Sequence, residues 1–424
     1  MKVLRRTKQK AVLHVQKLQA NGDHDLAISA TEVLFRQKKL TQTEYLLLRN
    51  FSLVELGRFT EAEDTLSQIA RDESIPSHFR VNALTQLGLI ARKLGKEQES
   101  ELMYQEVLRL EPDNSVGTYN LALFQLIRKN FDHGFRFYEA RIDQPEQFRG
   151  IGGGRLPSSQ IKPMEFLVVL GEQGIGDQLF FLKFLSSLIE RTQYTAVYVV
   201  IDKRLVSLFK SSTRLIFLDI ATLNELNLPK SEVCFVALGS LPKILIGLNF
   251  DLSKMLEEGE LDVPSDWLAD VSIDHRAKNR VAISWGSPAG CAPSAKSVSL
   301  EELLRMIPCE LECVSVQYSS DEDDERVIKL DVNLTNDLSS VTEILKSSSC
   351  LVSVSTAVVH LAALHKCPVW LLVPESGVGK LWYWYHVTND NRSVWYPSVR
   401  VATFARTDDT ITVQPPLNLV TNDE

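Results

Sequence analysis

Between Val168 and Leu185 the chain reads VVLGEQGIGDQLFFLKFL. An apolar run ends in three glycines, Gly171, Gly174 and Gly176, and Asp177 follows at the mouth of an apolar stretch long enough for a helix. Glycines between a strand and a helix leave backbone open to close approach by a ligand. Asp177 then has two readings. As an N-cap it accepts a backbone N–H. As a general base it takes a proton from a substrate hydroxyl, held ionised by the helix dipole while the glycines let the hydroxyl approach. The stretch has no G-K-[ST] and does not fit G-x-G-x-x-G, which argues against a Walker ATPase and a standard dinucleotide enzyme.

Four later stretches carry further candidates. In VSVSTAVVHLAALHKCPVWLLVP, Val352 to Pro374, a strand ends near Ser355 and Thr356 opens a short helix. Exposed N–H groups there suit a phosphate. Ser355 and Thr356 serve as ligands or as caps, and His360 donates to a phosphate or packs against a sheet. In SWGSPAGCAPSAKSVSLEEL, Ser284 to Leu303, a strand runs into a loop carrying Lys296, placed to neutralise a leaving diphosphate or simply solvated. SSDEDDERV contains Asp321-x-Asp323, a spacing used for metals in some sugar transferases, but it reads as a solvated charge run, and no metal is expected. Trp382, Trp384, Trp395 and Tyr396 crowd one late loop, either as a packed wedge or as a cleft wall that stacks on sugars and bases. A serine-nucleophile elbow, G-x-S-x-G, is absent.

The elements that must position these residues change character along the chain. Residues up to about Pro145 read as helix throughout. The clearest unit is LGLIARKLGKEQESELMYQEVLRLEPDN, Leu87 to Asn114, with Leu87-Gly88, Ala91, Ser100, Tyr104, Val107 and Pro112 at the spacings of a tetratricopeptide repeat. Small residues let two helices cross closely, the aromatic fills the gap, and the proline stops the second helix. The small position recurs at Ala27, Ala62, Ser100 and Gly134, near the expected period of about 34, so about four helix pairs are predicted, the first two degenerate. Such a stack presents a concave surface to a peptide or buttresses its neighbour.

A stretch rich in Gly, Ser and Pro, RGIGGGRLPSSQIKP from Arg149 to Pro163, reads as a linker or domain boundary. Beyond it, strand and helix patterns alternate in two series. MEFLVVL, AVYVVI, LIFLDI and VCFVA form the first, and VAISWG, LECVSVQ, CLVSVS and PVWLLVP the second. Alternation of this kind predicts parallel sheets with helices on both faces, and ligands at the carboxyl ends of the strands, in the crevice between the two halves. The predicted fold is therefore α plus α/β. Residues 1–147 form a helical-repeat domain, 148–273 a first Rossmann-like half and 274–424 a second.

The 424 residues suffice for two or three domains. A net charge of −8 gives no global attraction for nucleic acid or an anionic membrane. The basic start is not followed by an apolar core and cleavage site, so no secretory signal is read. No apolar run reaches the roughly 18–20 residues of a spanning helix. A cytoplasmic location is expected. Six scattered cysteines, including Cys291, form no C-x-x-C pair with histidine partners, which argues for plain thiols rather than zinc or disulfides.

GEQGIGDQLFF, VAISWGSP with AKSVSLEEL, SVQ, LVSVSTAVVHLAALHKCPVW and WYPSVR occur together and in order. In this the chain resembles bacterial proteins that join tetratricopeptide repeats to a module similar to the heptosyltransferases, which adopt the GT-B fold. The likeness implies that Asp177 is the general base and that Lys296 contacts donor phosphates. It implies that Gly174, Gly176, Gln178, Trp285, Gln317, Ser355, Thr356, Ala357 and His360 line the substrate site. Where the family loop begins with aspartate this chain has Ser355, which cannot balance charge or take a proton. The implied reaction is metal-independent transfer of a sugar from a nucleotide-sugar to a protein hydroxyl, flagellin being the favoured acceptor, held by the repeats. A glycan acceptor and a non-catalytic adaptor are the alternatives.

Overall fold

The computed structural model describes residues 2–143, 161–229, 231–271, 277–287, 296–318, 322–406 and 411–419. The expected linker up to residue 160, the stretch 288–295 with Cys291, and Asp321 lie outside the described residues. By internal contacts the chain divides into two units, Met1–Phe124 with Ser376–Val378, and Gln125–Glu375 with Gly379–Glu424.

The helices pair in sequence as α1 (Lys2–Ala20) with α2 (His24–Arg36), α3 (Gln42–Glu55) with α4 (Phe59–Arg71), α5 (Ser77–Lys93) with α6 (Glu97–Leu110), and α7 (Ser115–Ile127) with α8 (Phe131–Tyr138). The first three pairs belong to the first unit, and the division between units falls within α7. Local chemistry sets the ends. Thr41 and Glu44 exchange side-chain-to-backbone bonds in a capping box that opens α3. Gly57 and Gly95, at φ of 75° and 73°, end α3 and α5 in the left-handed conformation that glycine adopts without strain.

The small positions do what their spacing predicted. A Cβ built on Gly88 would lie 2.8 Å from the Tyr104 ring, and Ser100 Oγ donates to the Gly88 carbonyl at 2.8 Å. Ala27, Ala62 and Ser100 are completely buried. A core of Leu53, Leu66, Ile90 and Val107 runs through the middle pairs.

The second unit holds two sheets. The first contains β1 (Phe166–Leu170), β2 (Ala196–Val200), β3 (Leu215–Leu218) and β4 (Val233–Ala237), all parallel, in the order β3-β2-β1-β4. The second contains β5 (Ala277–Ser284), β6 (Glu312–Ser315), β7 (Val327–Ile328), β8 (Ser348–Val354), β9 (Val369–Pro374), β10 (Val399–Arg406) and β11 (Ile411–Gln414). Their order is β11-β10-β9-β8-β5-β6-β7, with β11 alone antiparallel to its neighbour. β1 to β4 and β9 are short apolar runs, as a parallel sheet covered on both faces requires. Register brings Leu170 level with Val200 and Ala237, so the carboxyl ends of β1, β2 and β4 open onto one edge.

One expected helix is broken. Residues 177–191 read as a single helix, but the chain forms α9 (Ile175–Phe181), a 3₁₀ turn Leu182–Phe184, and a separate helix Leu185–Glu190. Leu179 to Leu185 are buried on every side of the axis, so no apolar stripe betrays the break. The late aromatics are also interior. Trp382, Trp384, Trp395 and Tyr396 are all buried, with Phe180 stacked on Tyr383 at 4.4 Å and Phe135 edge-on to Trp382 at 5.7 Å. They form a wedge between α8, α9 and the second sheet, which corrects the alternative of a sugar-stacking cleft wall.

Candidate active site

The turn after β1 is built around glycines for steric reasons. A Cβ on Gly171 would lie 2.7 Å from the Val200 carbonyl oxygen and 2.9 Å from Gln178 Oε1. Gly174 is the N-cap of α9, and Asp177 is the third helical residue, reaching back to accept the Gly174 N–H at 3.3 Å. The N-cap reading of Asp177 is corrected accordingly: the glycine caps the helix and the carboxylate supports it. Burial pushes the Asp177 carboxyl up to about 6, against the pull of the Gly174 N–H and the Lys296 ammonium, while the Glu172 carboxylate adds to the rise. The group is thus still ionised at neutral pH, but its pKa is set by burial more than by the helix terminus. A carboxylate poised near 6 is well matched to accepting a hydroxyl proton near neutrality.

The second half meets this turn directly. A Cβ on Gly176 would lie 2.9 Å from His360 Cδ2 and 3.7 Å from Ala357 Cα. Thr356 is the N-cap of helix Ala357–Leu364, with extended backbone and no side-chain cap bond; its hydroxyl lies 3.4 Å from Ser353 Oγ. Lys296, half-buried, contributes its charge to the same cleft. Asp177, Gly174, Gly176, Lys296, Thr356 and Ala357 are therefore brought together.

The remaining expected residues are placed differently. Gln178 Oε1 accepts the Asp202 N–H at 2.9 Å and ties the end of β2 to α9. Gln317 Oε1 accepts from Ser284 Oγ and from the N–H groups of Trp285 and Gly286, at 3.0, 3.0 and 2.8 Å. It clamps the end of β5. The Trp285 side chain belongs to the second sheet's core with Leu304 and Ile307. Ser355 Oγ accepts the Trp384 indole N–H at 3.0 Å and is buried.

His360 is 2% exposed, with Tyr396 Oη 3.1 Å from Nδ1 and Tyr383 Oη 3.3 Å from Nε2. Burial, assisted by the Lys183 charge, lowers its pKa to about 3, so the ring is neutral. Both nitrogens are given to tyrosine hydroxyls, and this is the packed role rather than the phosphate-binding one.

Glu172, its partner Arg141 and Lys183 are not singled out by their sequence context. Glu172 sits inside the glycine turn, and its Oε1 accepts from Arg141 at 2.6 Å and from the Gly239 N–H at 3.0 Å. Its only sequence signal is an acid directly after a buried strand. Lys183, in the 3₁₀ turn, is buried, donates to the Trp395 carbonyl and stands 4.0 Å over the Tyr396 ring. Burial draws its ammonium down to about 7, with Asp262 opposing. It borders a cavity of about 400 Å³ lined also by Leu261, Asp262, Lys366 and Tyr396. Among the described residues no group of three His, Cys, Asp or Glu is arranged to hold a metal ion, and no helix is long and apolar enough to cross a membrane.

No protein-family model matches the chain. DnaJ homolog subfamily C member 3 of Rattus norvegicus is 25% identical over 144 residues, 31% of this chain; the chain spans about 29% of that relative's length. Among solved structures, E. coli heptosyltransferase WaaC with ADP is similar over 57% of this chain and 93% of its own, at 10% identity and a TM-score of 0.36. The iron-containing glycosyltransferase TibC of enterotoxigenic E. coli covers 50% of this chain and 59% of its own, at 11% identity and a TM-score of 0.37. An O-GlcNAc transferase of Thermobaculum terrenum covers 89% of this chain and 84% of its own, at 13% identity and a TM-score of 0.34. At such identities and scores none of these neighbours assigns a function to the chain.

Proposed function

We propose that the chain is a glycosyltransferase of GT-B type that moves a sugar from a nucleotide-sugar to a protein hydroxyl. The acceptor oxygen attacks the anomeric carbon, the bond from that carbon to the diphosphate breaks, Asp177 takes the hydroxyl proton, and Lys296 offsets charge on the departing diphosphate. No metal is needed in this scheme. The observation that carries it is Asp177: a carboxyl raised to about 6, at a glycine turn on the carboxyl edge of a parallel sheet, with Lys296 acting on it. The order of motifs shared with heptosyltransferase-like proteins supports the same chemistry.

The repeats supply the acceptor site in this reading. A cavity of about 410 Å³ in the first unit is lined by apolar Leu84, Leu87 and Ile90 and by charged Arg71, Arg80 and Glu106. Such a mixture suits an extended peptide of a surface protein such as flagellin. Location in the cytoplasm, where nucleotide-sugars are made, goes with this proposal.

The adaptor reading is favoured by two observations: Ser355 is committed to Trp384 and His360 to two tyrosines. One experiment separates the readings. Purified protein is screened by thermal shift against ADP, UDP, GDP, CMP and their sugars, with and without EDTA. A selective, EDTA-insensitive rise in Tm, followed by sugar transfer that Asp177→Asn reduces by at least about 100-fold, supports the transferase. A folded protein that none of these stabilises is the adaptor's outcome.

A further inference from the structure

We infer that Arg141 is a positioning residue for the Asp177 turn: its guanidinium fills the crevice at the carboxyl ends of β1 and β4 and fixes Glu172 there. The word positioning rests on the transferase reading; the arrangement itself does not.

The first sheet reverses its order between β1 and β4, since β2 and β3 extend to one side of β1 and β4 returns on the other. In open α/β sheets that reversal makes a crevice in which ligands bind. Here the chain fills the crevice itself. Arg141 lies in a 3₁₀ turn, Glu139–Asp143, directly after α8. It donates to Glu172 Oε1 through Nε at 3.0 Å and Nη2 at 2.6 Å, to Ser240 Oγ at 3.0 Å, to Glu139 Oε1 at 2.8 Å and to the Tyr138 carbonyl at 3.0 Å. Gly239 is required beneath it: a Cβ there would lie 2.7 Å from Glu172 Oε1 and 2.9 Å from Arg141 Nη2.

A second bond from the same segment reaches the turn. Tyr138 Oη donates to Gln173 Oε1 at 3.1 Å, and Gln173 holds a left-handed φ of 62°. Residues 172 and 173 are thus both latched from the end of α8, and Asp177 follows four residues later. Glu172 Oε2 is buried without a hydrogen-bond partner among the described residues, so the carboxylate is held through Oε1 alone, by the guanidinium fork and the Gly239 N–H. Burial opposes the Arg141 charge, but Glu172 and Glu139 outweigh it and hold the guanidinium firmly protonated.

The groups that act on Asp177 are Lys296 and Glu172, with Tyr396, His360 and Lys183 on the elements behind it. Loss of Arg141 exposes Asp177 to an uncompensated Glu172 charge, and loss of the Glu172 charge relieves it.

The test is a ¹³C NMR titration of Asp side-chain carboxyls in the full chain, the Asp177 signal being identified by its absence in Asp177→Asn. Arg141→Gln should raise the Asp177 midpoint and Glu172→Gln should lower it, each by about one pH unit. Glu172→Gln leaves Arg141 paired with Glu139, so it keeps the test alive if Arg141→Gln does not fold. Arg141→Lys retains charge without the fork, and Tyr138→Phe loses only the hydroxyl. Both should leave nucleotide affinity unchanged while lowering kcat roughly 10–100-fold.

Folded Gln variants whose Asp177 midpoints match the wild type overturn the inference, whether or not sugar transfer is seen. Midpoints that move as stated, in a protein that turns over none of the nucleotide-sugars, uphold the clamp and defeat the transferase reading instead.

Discussion

Gly176 and His360 stand in contact across the two halves of the second unit: a Cβ at position 176 would lie 2.9 Å from the imidazole Cδ2. The histidine cannot move aside, because Tyr383 and Tyr396 hold its two nitrogens and bury it. Gly176 therefore sets how closely α9 approaches helix Ala357–Leu364.

Gly176→Ala should destabilise the protein by about 1–3 kcal/mol through overpacking. In a His360→Ala background the same change should cost clearly less, since the clashing ring is gone. Thermal melts of the four proteins in this cycle measure the coupling. Equal costs in both backgrounds would show that the helices part freely at this point.

The glycine turn was legible because its physics is local. A buried strand, three glycines and an acid announce themselves in one continuous stretch, Phe166 to Asp177, and the tetratricopeptide spacing at Gly88 and Tyr104 likewise reflects one close contact. Strands β10 and β11 went unread beyond the sheet's expected edge, as did the two-residue β7, which is too short to show a period. Arg141 was invisible for a different reason. Its partner Glu172 lies 31 residues away and Ser240 lies 99 away, so only tertiary structure pairs them. His360 misled because a helical histidine after a phosphate-like loop looks the same in sequence whether its nitrogens face a ligand or two tyrosines.

On the proposed transferase reading, Asp177 links activity and stability through pH with opposite signs. Its folded pKa is raised from 3.8 to about 6, so the neutral form is favoured in the native state. That stabilisation is complete below the unfolded value and is lost as pH rises through about 6. At pH near 7.5 the ionised carboxylate should therefore cost about 1–3 kcal/mol. Asp177→Asn should melt higher than wild type at that pH, and the gap should close near pH 4. Sugar transfer should show the reverse trend, rising with pH until the base is ionised, with an acid limb near 6. A variant no more stable at high pH than at low pH would mean that the carboxyl is solvated.

The resemblance to heptosyltransferase-like proteins leads to an expected aspartate at position 355; the chain has Ser355, whose hydroxyl accepts from the buried Trp384 indole. Ser355→Ala should leave that N–H unpaired and cost about 1–3 kcal/mol. Ser355→Asp should destabilise as well, because it buries a carboxylate with one donor in reach. It should bring no gain in nucleotide affinity, as the position faces Trp384. A titration calorimetry experiment showing tighter nucleotide binding in Ser355→Asp would place this side chain on the donor after all.

The fourth helix pair straddles the division between the two units, which falls within α7. Removing residues 1–145 deletes α8, Tyr138 and Arg141 along with the helix pairs, whereas removing 1–114 spares the segment that holds Glu172 and Gln173. The shorter deletion leaves the second unit's own residues intact, since that unit begins at Gln125. It should retain a cooperative melt and nucleotide binding while losing the acceptor protein. The longer deletion leaves Glu172 buried without its guanidinium, a loss of about 3–5 kcal/mol for a broken buried pair, and should melt far lower. Differential scanning fluorimetry with added nucleotide compares the two directly. If both truncations melt alike and bind alike, the clamp from the end of α8 contributes nothing to the fold of the second unit.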